Sequence, residues 1–318
     1  MTALSAAPDR FGAAILGLAD RIGPARLRAV RHAMTIVGLL ALPYIIVINR
    51  VKSEFGFDAY AYWSVDLNDL YGRSLGNTSG LGAFRYTPPI GQVFSVFHAI
   101  PWELFYALWF AAMIAALIWM TGRTWLVLLA FPPLPLELYH GNVHLFMAVA
   151  IILGFRYPAM WAFVVLAKVS PGVGALWFAF RGEWRKLAIA VGTTAAIAAV
   201  SFVVAPDLWR QYTATMLDNL AYVPVDQPHP FPIPLALRLA ASTAIVWWGA
   251  RTDRRWTVPV AATVSLPIIW IHGLTLLIAA IPLWRQDRTR RAAAAAESTS
   301  EAGPVPAATP LRPETGRP

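Results

Sequence analysis

The chain has 318 residues, of which 58% are hydrophobic and only 14% charged, with a formal net charge of +9. Soluble domains carry roughly 25% charged residues, so this balance, with several long apolar runs, points to a polytopic membrane protein. The lack of any Cys excludes disulfides, thiolate metal sites and a Cys nucleophile. The basic residues fall in short clusters between apolar runs, which reads as topology signals and anionic-lipid contact rather than a nucleic-acid surface.

Residues 1–32 read as a cytoplasmic N-terminal segment. FGAAILGLA is short and flanked by Asp9, Asp20 and Arg21, unlike a cleaved signal sequence. Phe11, Ile15 and Leu18 share a helical face, so two readings stand: an interfacial helix or a tail without structure. Arg21, Arg26, Arg28 and Arg31 precede the first apolar run and by the positive-inside rule hold the N-terminus in the cytoplasm. The first span is predicted over about 33–49. A long outer loop comes after it, about 50–88, expected to carry short helices.

From Pro88 the chain is apolar but broken by HAIPWE, giving a short or re-entrant helix and then a full span that ends at Arg123. Residues 124–139 return outward to YHGNVH, and 143–155 go back in to Arg156. Segments 157–169 and 172–180 form an outward and inward pair hinged at KVSPG. Residues 187–204 go out to a second outer loop, about 205–232, with Asp207, Asp218, Asp226 and many prolines. Residues 233–250 come in. The run 256–284 fits two short helices with a hinge near Pro267. Residues 285–318 are Arg-, Ala- and Pro-rich and are expected to form a disordered cytoplasmic tail. The whole is an all-α, polytopic transmembrane protein with a membrane domain over 33–284. Every dense Arg/Lys cluster then lies inside, and both long loops lie outside.

Polar groups at a bilayer face need a reason. FDAYAYW places Asp58 just past the first span, among Phe55, Phe57, Tyr60, Tyr62 and Trp63. Partial desolvation there is expected to raise its pKa and make it a better base. The bland alternative is a helix N-cap. Asp69 reads as the end of a loop helix, and Asp66 as solvated. VDLND is not a clean D-x-D, and no metal or cofactor is expected. Arg85 in RYTPP, His140, Asn142 and His144 in YHGNVH, and Lys168 in KVSPG all fall on the outer side. Broken helices bring such groups into a cavity rather than into lipid. Singly, Lys168 and Arg85 could snorkel to headgroups, and either His could cap a turn. Together they face Asp58. One carboxylate opposite several cations suits transfer of a sugar from a lipid phosphate: the cations hold the leaving phosphate, and the carboxylate takes the acceptor proton.

At these residues the chain resembles the membrane glycosyltransferases of family GT87 in the GT-C superfamily. FDAYAYW is similar to that family's first-loop D-x-x-x-Y-W motif, and RYTPPIGQVFSVFHAIP to its Y-x-P-P segment. HGNVHLFMAVAIIL resembles its G-(Q/N)-x-N/H helix, and LAKVSPGVGALWFAFRGEWR its K-x-x-P hinge with a basic turn. The resemblance runs in order over about 50–205. It implies a GT-C-like fold, a polyprenyl-phosphate sugar donor (often polyprenyl-phosphomannose) and inverting transfer at the outer face of the plasma membrane. The acceptor implied is a hydroxyl of a lipid-linked glycan or glycolipid. Asp58 falls on the base, with Lys168, Arg85 and His140 expected on the donor phosphate and Tyr62, Trp63, Asn142 and His144 on substrate. Two rivals remain: a transporter or flippase, which should show midplane charges and inverted repeats, and an inactive scaffold relative.

Overall fold

Helix α1 (Pro24–Arg50) opens the part of the chain that the computed structural model describes, residues 23–50, 55–74, 80–221 and 231–301. Pro24 suits a first helical position, since its missing N–H would find no intrahelical acceptor there. The apolar side chains of Ile36, Val37, Leu40, Tyr44 and Val47 point away from the protein. That is the surface a lipid-facing helix presents. The interfacial helix expected around Phe11 lies outside the described residues.

The first loop carries α2 (Phe57–Trp63) and a 3-10 turn at Gly72–Ser74, as the sequence predicts. Helix α3 (Pro88–Phe94) and the turn Ser95–Ala99 form the short broken segment before α4 (Trp102–Thr121). Pro101 sets the start of α4. Gly122, with φ 57, ends its regular part. Helix α5 (Trp125–Leu128) then completes an apolar helix long enough to cross a membrane. Helices α6 (Pro133–His140) and α7 (His144–Gly154) are apolar together but meet at 109° across the GNV break.

Helix α8 (Trp161–Ala167) ends at Lys168, and the Ser170–Ala175 turn leads into α9 (Leu176–Phe180). Helix α10 (Trp184–Val204) is the second long apolar span, and only 11% of its apolar window is buried, so it lies on the rim of the bundle. Where the sequence reads an outer loop, the structure builds α11 (Pro206–Ala221), a helix with Asp207 in its first turn. Asp226 lies outside the described residues. Helices α12 (Leu235–Arg251) and α13 (Thr257–Val264) pack side by side. A break then leads to the 3-10 turn Ile271–Ala279 and to α14 (Ala280–Glu301). Among the described residues there is no strand: the protein is an all-α membrane protein. One boundary is corrected. The helix continues past residue 285 through Glu301, because RRAAAAAE is a strong helix former.

Charge separates along the molecule. Arg181 pairs with Asp253 at 3.0 Å, and Asp287 accepts from Arg255 at 2.8 Å and Arg290 at 2.7 Å. These contacts gather the basic clusters of three segments at one end. Helix α12 has 17 residues and so runs about 25 Å from Arg251, near that end, to Leu235 at the other. The break after α13 belongs to this second end, and so does the cluster around Asp58.

Candidate functional site

Two glycines let α2 lie directly on the break between α6 and α7. Gly56 caps the start of α2 with φ 69, and its N–H donates to the Tyr139 carbonyl at 2.9 Å. A Cβ there would stand 2.8 Å from the Trp102 ring and 2.9 Å from the Tyr106 ring. Gly141 closes α6 with φ 72, and a Cβ on it would stand 2.6 Å from the Cβ of Ala59. Gly141→Ala therefore combines the left-handed backbone penalty, roughly 1–2 kcal/mol, with a clash. Gly182 has the same φ of 72 and open space around it. Thermal unfolding in detergent should show Gly141→Ala clearly less stable than Gly182→Ala. Equal midpoints would contradict this packing.

Asp58 sits in the first turn of α2, and the N-cap is Gly56, so the capping alternative does not hold. Its side chain is 23% exposed, and its Oδ2 lies 3.6 Å from Nε2 of His272. Asn142 hydrogen-bonds it, and His140 and Lys168 act on it electrostatically. Burial pushes the Asp58 carboxyl up. His272, His140, Asn142 and Lys168 pull it down further, so it lies below its usual value. The expectation that desolvation raises it is corrected: the surrounding donors and cations outweigh burial.

Thr87 ties the segments of Arg85 and Lys168 together. Thr87, two residues past Arg85, donates through Oγ1 to the Leu166 carbonyl at 2.7 Å, two residues before Lys168. That bond draws the RYTPP segment and the end of α8 together. Lys168 Nζ lies 5.2 Å over the Tyr86 ring, and Arg85 feels the Asp58 charge. Buried Nε of Arg85 and Nδ1 of His140 have no hydrogen-bond partner among the described residues. Such unpartnered buried polar atoms are costly unless a ligand or water meets them.

The remaining expected residues divide. Tyr62 has no exposed surface. Its hydroxyl bonds that of Tyr86 at 2.6 Å, and its ring packs on Phe94 and Trp109. Trp63 donates to the Ile100 carbonyl at 2.8 Å and packs on Tyr60, His98 and Trp102. Tyr62 is taken up by the packing of α2, while Trp63 packs there and keeps part of its surface exposed. His144 is also buried. Glu137 accepts from the His144 backbone N–H at 2.9 Å and meets its ring Nδ1 at 2.9 Å. The Glu137 carboxylate thus caps the start of α7. Asp66 is exposed and accepts from Asn68, and Asp69 folds over Gly72, as solvated loop residues do.

Two residues here are not among those the sequence singles out, Glu137 and His272. Glu137 is an acid inside the apolar run PPLPLELYH, which is itself a signal of function or pairing. His272 comes after the break near Pro267. Its ring lies 5.2 Å from that of His140 and 5.5 Å from that of His144. Glu137, His144 and His272 offer ligand atoms within 4.8 Å of one another. Both Glu137 oxygens are engaged by His144, one by its backbone N–H and one by its ring Nδ1.

Fold and site define a class: a helical membrane protein whose broken helices hold a carboxylate against a ring of cations and imidazoles at one end of the bundle. The family model of glycosyltransferase family 87 matches residues 84–301. The chain belongs to that family and is a membrane glycosyltransferase. The match begins inside the first loop, after the helix that carries Asp58. No curated protein and no solved structure matches the chain.

Proposed function

We propose that the protein transfers a sugar, mannose first among them, from a polyprenyl phosphate to a hydroxyl of a lipid-linked glycan or glycolipid, at the outer face of the plasma membrane. The observation that carries this reading is that Asp58 faces a guanidinium and an imidazole whose buried nitrogens lack partners, Nε of Arg85 and Nδ1 of His140. A phosphate supplies the missing acceptors. Asp58 takes the acceptor O–H proton as that oxygen bonds to the anomeric carbon. The bond from that carbon to the phosphate oxygen breaks on the opposite face. Polyprenyl phosphate departs as an anion, stabilised by Lys168, Arg85 and His140. A single displacement of this kind inverts the anomeric centre. Asn142 and His272 orient the carboxylate. The leaving group needs no general acid, and no step calls for a metal.

The test is incubation of membranes that carry the protein with sugar-labelled polyprenyl-phosphomannose, and in parallel with the labelled nucleotide sugar. Label should pass to a new lipid only from the first donor. Passage from the nucleotide sugar alone would overturn the donor assignment.

Orientation is tested on the same cysteine-free background. Asn68 is exposed in the first loop, and Arg251 is exposed at the basic end. In intact cells an impermeant maleimide should label Asn68→Cys and spare Arg251→Cys. The reverse pattern would turn the site to the cytoplasm.

The pH profile depends on the downward shift of Asp58. A depressed carboxyl stays ionised to lower pH, and activity is lost only as pH falls through the folded-state value. That value lies below the ordinary Asp figure of about 3.9. The second-order rate constant for acceptor should therefore stay flat from pH 7 to about 5. A half-point near pH 6 would mean that some other group is the base.

A further inference from the structure

Arg238 stands in the first turn of α12 and is only 7% exposed. Its guanidinium reaches four backbone carbonyls. Nε donates to Ile233 at 2.9 Å, Nη2 to Pro267 at 2.8 Å, and Nη1 to Val264 at 3.0 Å and also to Leu266. Two of these carbonyls, Leu266 and Pro267, lie in the break between α13 and the Ile271–Ala279 turn, and a third, Val264, is the last of α13. Carbonyls at a helix end have no intrahelical partner, and at an apolar depth they cannot be left unmet. The planar, many-donor fork of Arg satisfies several of them at once, in one fixed geometry. Lys, with a compact ammonium, cannot reproduce that fork.

The path of the break fixes where His272 goes. His272 lies five residues past Pro267, and its Nε2 is 3.6 Å from Asp58. The turn that bears it packs on α6 and α7, the two helices of the GNV break. Packing of α12 on α13 does not depend on Arg238 alone. One turn further along, Ser242 Oγ donates to the Ala261 carbonyl at 2.9 Å. The helix pair therefore has an independent tie, while the break has Arg238.

We propose that Arg238 is a positioning residue: it holds the Ser265–Trp270 break in the path that sets His272 against Asp58. This rests on the reading of Asp58 as the base. A misplacement of about 1 Å at a reacting group costs on the order of 100-fold in rate, so an effect on transfer is expected without any contact between Arg238 and substrate.

Two measurements test it, one of them independent of activity. The chain has no Cys of its own, so Asp58→Cys with His272→Cys can be bridged by a short bifunctional thiol reagent. The bridge should form with Arg238 present and fall several-fold with Arg238→Gln at equal protein level. Arg238→Lys should be intermediate, and Ser242→Ala should leave the bridge unchanged. An undiminished bridge in Arg238→Gln, or no bridge in its Arg238 parent, overturns the proposal. If Arg238→Gln fails to accumulate, Arg238→Lys carries the comparison, with the same outcomes. The second measurement is the transfer rate in a double-mutant cycle. Arg238→Lys should lower the rate in the parent and cost nothing further in His272→Ala. Equal fold-losses in both backgrounds would reduce Arg238 to general stability. A bridge that depends on Arg238 in a protein that transfers no sugar would sink the functional reading and leave this geometry standing.

Discussion

Asp58→Asn lowers the rate of sugar transfer by about 10²–10⁴-fold and leaves donor binding in place. The substitution keeps the shape of the side chain and removes its basicity. The Asn142 hydrogen bond and the neighbouring His272 and His140 hold either side chain in position, so the loss reports on proton transfer. The lipid phosphate is assigned to other residues, so donor affinity should not change with the rate. Asp66→Asn and Asp69→Asn should cost little, since both lie exposed in the loop. Single-turnover rates at equal protein level check this. A rate for Asp58→Asn within a few-fold of the parent rules out Asp58 as the base. A large loss at Asp66 or Asp69 instead would move the base and keep the enzyme.

Lys168→Ala weakens donor binding. A charge-assisted hydrogen bond to phosphate is worth roughly 1.5–3 kcal/mol, or about 10- to 150-fold in Kd, and Arg85→Ala should fall in the same range. The Thr87 tether to Leu166 couples the two, so the double variant should deviate from additivity. Lys168→Ala has a second consequence. It removes one of the charges that hold the Asp58 carboxyl down, so the acid limb of the pH profile should move up. Snorkelling to headgroups would give neither result. Unchanged donor affinity in both single variants returns these residues to that bland role.

The sequence carries some parts of this site and hides others, for physical reasons. Asp58, Arg85, His140, Asn142 and Lys168 share one side of the predicted spans, and the structure brings them together because helix breaks fall at GNV and KVSPG. Glu137 is hidden by distance. Its partner His144 stands seven residues on, across a 109° bend, and no helical periodicity connects them. His272 lies in a stretch that turns in 3-10 geometry, where the usual 3.6-residue pattern is lost. Arg238 reads as one more basic residue, since its role is to meet backbone carbonyls that sequence does not display. Tyr62 and Trp63 also serve the packing of the helix that carries Asp58. Aromatics beside a candidate base suggest sugar stacking, but a seven-residue helix needs large side chains to anchor it; the core takes Tyr62 whole and covers Trp63 in part. At the C-terminal end, the Ala run outweighs the Pro-rich composition beyond it, and the helix continues to Glu301.

The most direct test of inverting transfer by Asp58 is made with the purified protein in lipid nanodiscs. It is given labelled polyprenyl-phosphomannose and a lipid extract as acceptor, and the anomeric configuration of the product is read. A labelled product with the configuration inverted relative to the donor is expected, formed by the parent and lost in Asp58→Asn. Retained configuration, or label that stays on the polyprenyl phosphate in the parent, would contradict inverting transfer.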